Sequence, residues 1–72
     1  MKTLIIGNIN HTNEVQVVNI AGGAGYAGSV WLVDEETKKI DLQIDSLYEQ
    51  REVEQMIGKY VLAGFSVKII ES

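Results

Sequence analysis

Nine consecutive residues, Ala21 to Ser29 (AGGAGYAGS), hold four of the chain's seven glycines, at Gly22, Gly23, Gly25 and Gly28. Glycine loses more backbone freedom on folding than any other residue, so a cluster marks a need for unusual dihedrals or close backbone approach. Such a stretch serves a bound anion, a partner's surface or a wide turn. It separates an apolar, asparagine-punctuated segment from a strand-like run, a charged turn and a helix.

The 72 residues make a single domain, 1–72. A chain of this size buries only about 60% of the surface its unfolded form exposes, which makes self-association a natural way to bury more. There is no cysteine, which removes disulfides and thiolate metal sites. Apolar residues at 46% and charged residues at 22% are the balance of a globular chain. The apolar run Leu4–Ile6 is too short for a signal-peptide core or a membrane span, so no membrane association and a cytoplasmic location are expected. The formal charge of −4 argues against a nucleic-acid backbone as partner, which calls for a lysine and arginine footprint.

Thr3–Ile9 and Glu14–Ile20 are rich in β-branched residues and flank the turn-forming Asn10–Asn13, which reads as a β-hairpin. Ser29–Val33 reads as a third strand. Asp34–Lys39 is a charged connection, and Ile40–Asp45 alternates as a fourth strand with Ile40, Leu42 and Ile44 inward. Ser46 and Glu49 form a capping box for a helix running to about Ala63, with Gly64 just past its end. Its apolar face carries Val53, Met56, Ile57, Tyr60 and Val61. A last strand, Phe65–Ile70, turns Phe65, Val67 and Ile69 inward. The expected fold is therefore α+β: a curved antiparallel sheet of about five strands, β-β-β-β-α-β, with one amphipathic helix on a face. Since one helix covers one face, the surplus apolar sheet surface calls for closure, a second subunit or a target protein.

Gly23–Gly28 matches G-x-G-x-x-G, with Asp45 about twenty residues on, where a ribose-binding acid belongs. That motif works when its last glycine opens a helix, and Ser29–Val33 is β-branched and aromatic instead. A glycine nest that binds an anion through backbone N–H groups is the looser form of the idea. The single histidine, His11, sits among asparagines with no cysteine or second histidine and with Glu14 as the only carboxylate close in sequence, and the serines lie in no nucleophile elbow. No catalytic residues, metal or cofactor are expected.

Tyr26 and Trp31 flank the glycine stretch and are residue types enriched in interface hot spots. The sequence thus suggests a small non-enzymatic binding protein, an inhibitor or adaptor that occludes a protein partner. Gly22, Gly23, Gly25, Tyr26, Gly28 and Trp31 are its candidate contact residues, and a homo-oligomer is its expected state. The alternative is an oligomeric protein that sequesters a nucleotide or another anion with the glycine loop.

Overall fold

Leu4 and Ile6 are fully buried alternate residues of the first strand, β1 (Lys2–Gly7), and the sheet is laid out on both sides of that strand. The computed structural model describes residues 2–71. After β1 come helix α1 (Glu14–Gly23), a single 3₁₀ turn (Ala27–Ser29), and strands β2 (Val30–Asp34) and β3 (Thr37–Leu42). Helix α2 (Leu47–Leu62) and strand β4 (Ser66–Glu71) complete the described elements. The strand order is β2-β3-β1-β4 with every neighbouring pair antiparallel. Two β-α-β units thus interlock, with β3 lying between β1 and β2 and β1 between β3 and β4. This is the split β-α-β, or ferredoxin-like, arrangement. The likeness is one of topology, and topology alone assigns no function.

The α+β class and the antiparallel sheet agree with the sequence reading, but three parts of it are corrected. Glu14–Ile20 is helix, not strand, so the order is β-α-β-β-α-β with four strands and two helices. The sheet is open rather than curled into a partial barrel. Strand β3 begins at Thr37 and ends at Leu42, earlier at both ends than the Ile40–Asp45 expected.

Each correction has a local cause. In α1 the buried Val17 and Ala21 share a side with Ile20 and Ala24, which pack partly against the core. That spacing, i, i+3, i+4, i+7, is a helical stripe, and it overrides the weak preference of valine and isoleucine for strands. Asn10–Asn13 is the helix entry rather than a hairpin loop. The Asn10 side chain accepts from the N–H groups of Thr12 (2.9 Å) and Asn13 (3.1 Å), and its carbonyl accepts from Glu14 N–H at 3.0 Å. Asn8, at φ 63°, takes the left-handed conformation that asparagine tolerates. Strand β3 stops at Leu42 because Gln43 turns its backbone to a side chain. Its N–H donates to the Tyr26 hydroxyl at 3.2 Å, and its carbonyl accepts from the same hydroxyl at 3.3 Å.

Helix α2 follows its sequence signals closely. Ser46 Oγ accepts from Glu49 N–H at 3.2 Å, the N-cap half of a capping box, and donates to the Glu49 carboxylate at 3.1 Å. At the other end Gly64 adopts φ 94°. Its N–H bonds the Val61 carbonyl, and Phe65 N–H bonds that of Tyr60, a Schellman closure. The core comprises Leu4, Ile6, Ile40 and Leu42 from the sheet with Val17, Ala21, Val53, Met56 and Tyr60 from the helices. Tyr60 and Phe65 meet edge to face, with ring centroids 5.7 Å apart. Val61 and Ile69, which the sequence pattern turns inward, remain half exposed. No helix among the described residues is long and apolar enough to cross a membrane.

Candidate functional site: an acidic aromatic notch

The glycine stretch lies at the C-terminal end of α1. Ala24 N–H donates to Ala21 O (3.1 Å), Gly25 N–H to Gly22 O (3.1 Å) and Tyr26 N–H to Ala21 O (2.8 Å). Gly25 sits at φ 83°, so this is a second Schellman closure and the physical reason for glycine at that position. Each N–H a glycine nest would aim at an anion is therefore spent on a helix carbonyl at residues 24 to 26. The end of a helix exposed here is also its negative one. Lys59 responds to that polarity, with its ammonium standing beside Gly23.

Closure of α1 delivers Tyr26 to the sheet. Its hydroxyl grips both backbone groups of Gln43, which fixes the ring where β3 ends and β2 is about to begin. The 3₁₀ turn, closed by Ser29 N–H on the Tyr26 carbonyl at 2.9 Å, then feeds directly into Val30 and Trp31. Trp31 pairs with Lys39 and is 55% exposed.

Together these elements border a notch of about 740 Å³ across that end of the sheet. Gly23, Gly25, Tyr26 and Trp31 line it, joined by Asp41 and Gln43 from the β3 side and Tyr48, Glu49 and Glu52 from the first turns of α2. Gly22 and Gly28 are not among the lining residues. Of the carboxylates, Asp41 accepts from Thr3 Oγ1 at 3.1 Å and Glu49 is engaged with Ser46. Three carboxylates and three aromatic rings make a surface suited to cations; its lining contains no lysine, arginine or histidine, while the Lys59 ammonium beside Gly23 already answers the helix C-terminus.

Asp41, Tyr48, Glu49 and Glu52 were not marked by the sequence as site residues. No local signal could mark them, because the pairing of β3 with β2 brings Asp41 near Trp31 and the placement of the first turns of α2 adds Tyr48, Glu49 and Glu52. His11 is exposed in the β1–α1 turn and lies outside the lining. Among the described residues no group of three or more histidine, cysteine or carboxylate side chains could hold a metal ion. Compared with known proteins, the chain matches no described family, no curated protein and no solved structure.

Proposed function

We propose that this chain is a non-catalytic binding protein that occludes a protein partner by seating one of its positively charged segments in the notch. The observation that carries the reading is the joining of Tyr26, Trp31 and Tyr48 to Asp41, Glu49 and Glu52 around one cavity. Aromatic faces attract cations, most strongly those of tryptophan and most often an arginine guanidinium, while carboxylates supply the charge-assisted hydrogen bonds. The net charge of −4 adds long-range steering toward a basic partner. Sequestering a nucleotide with the glycine loop gains no support from this arrangement. The N–H groups of Ala24, Gly25, Tyr26 and Ser29 are internally bonded and the adjoining walls carry carboxylates.

Calorimetric titration with an arginine hexapeptide, a glutamate hexapeptide and ATP tests the reading. The arginine peptide should bind with an affinity that falls as salt rises, and the other two should not bind. Trp31→Ala and Glu52→Gln should each weaken that binding about tenfold, equivalent to about 1.4 kcal/mol. Equal binding by the glutamate peptide or ATP, or full affinity in both variants, would refute it.

A further inference from the structure

We propose that the free edge of β4 docks a second copy of this chain, strand against strand and antiparallel, about a two-fold axis at Ile69. The two edges of the sheet, β2 and β4, are not equivalent. Strand β2 is bulged between Leu32 and Asp34 and runs into the acidic Asp34–Glu36 turn, both of which discourage pairing. Strand β4 pairs with β1 at six successive positions, Ser66 to Glu71, with no bulge. Its outward N–H and carbonyl groups therefore form a straight row, and what satisfies such a row is another strand.

Side chains on both sides of this edge remain uncovered. Ile69 is 48% exposed toward the helix layer and Ile70 is 44% exposed on the opposite face. Val61, 58% exposed, lies on the flank of α2 opposite Lys59, whose ammonium stands beside Gly23 of α1. Gln50 and Glu54, hydrogen bonded to each other at 3.3 Å, give the same flank a polar rim. The apolar spacing of α2 and β4 assigns Val61 and Ile69 to a core, yet one copy leaves them in water. The pattern is wider than the core a single chain supplies, as at an interface that belongs to the native assembly.

Charge and register select a copy of the same chain as the occupant. An acidic protein resists self-association over most of its surface, but in β4 Lys68 and Glu71 cancel. Antiparallel partners place opposed side chains on one face, so a two-fold pairing sets residues of equal parity against each other. Centring on Lys68 would oppose two ammonium groups. Centring on Ile69 opposes Ile69 to its own copy, lays the Lys68 stem along Ile70 and pairs positions 67 to 71, whereas centring on Val67 or Ile70 pairs only three positions of the strand, so Ile69 is the apolar register with the longest overlap.

Sedimentation of the full chain gives the first test. At concentrations up to about 100 µM, within the range of specific association, the mass should reach twice 8.0 kDa. Ile69→Lys should return it to 8.0 kDa with an unchanged circular dichroism spectrum, while Leu32→Lys on the other edge should leave the dimer intact. Since the chain has no cysteine, Ile69→Cys offers a milder second arm that probes the register. Under gentle oxidation it should cross-link several-fold faster than Ile70→Cys. A wild-type mass of 8.0 kDa throughout, a dimer lost in Leu32→Lys but kept in Ile69→Lys, or faster cross-linking through Ile70→Cys would each overturn the proposal.

Discussion

The Tyr60 hydroxyl donates to the Val17 carbonyl across 2.7 Å, joining α2 to α1 inside the core. Tyr60 is fully buried, so this bond satisfies a polar group that water cannot reach. Tyr60→Phe keeps the ring and its edge contact with Phe65 but removes the donor. Urea unfolding should show a loss of about 1 kcal/mol, the usual net worth of one hydrogen bond.

The same hydroxyl couples stability to alkaline pH. Burial pushes its pKa up to about 12, an effect that the nearby Ala21 backbone partly opposes. In the unfolded chain it ionises near its ordinary 10. The unfolded state therefore loses its proton first, and stability should be intact below pH 10 and fall as pH rises toward 12. The full span is worth up to about 3 kcal/mol. Subtracting the denaturation curve of Tyr60→Phe isolates this component.

Glycines at three positions should respond to alanine with opposite signs. Gly25 and Gly64 have φ of 83° and 94°, and neither has an atom within 4 Å of where a Cβ would stand. Alanine there suffers backbone strain without a clash, at a cost of about 1 kcal/mol per site. Gly58 lies inside α2, also with open space around it. Gly58→Ala should stabilise the fold by about 0.5–1 kcal/mol, because alanine holds a helix better than glycine. Thermal midpoints of the three variants check the contrast.

Ser46→Ala removes both halves of the reciprocal bond with Glu49. A loss of about 1 kcal/mol is expected. Amide exchange should report it first in the opening turn of α2, beside Tyr48 and Glu49 of the notch.

Helix α2 was legible because its punctuation is local. Ser46 starts it, Gly64 ends it, and Val53, Met56 and Tyr60 recur on one face, all within a single stretch of sequence. Helix α1 was obscured because Val15, Val17, Val18 and Ile20 favour strands individually, while the stripe of Val17, Ile20, Ala21 and Ala24 is only evident once its small residues count as core. That error also put the glycine stretch at a strand exit, where the structure has a helix C-terminus. At the site, Tyr26 and Trp31 could be singled out from the sequence by type and position. Asp41 and Glu52 could not, since an acid on a strand and one on a helix look like ordinary solvated charges until the fold brings both to one notch.

Trp31 is the chain's one indole, and it stands at the mouth of the notch on β2, at the opposite edge of the sheet from β4. Nature has in effect built an intrinsic fluorophore into one of two separated surfaces. Emission from the half-exposed ring should begin red-shifted and move to the blue when a basic segment covers it. Pairing of two β4 strands, on the far side of β3 and β1, should leave its spectrum unchanged. The colour of one residue therefore distinguishes capture from self-assembly in a single unlabelled sample.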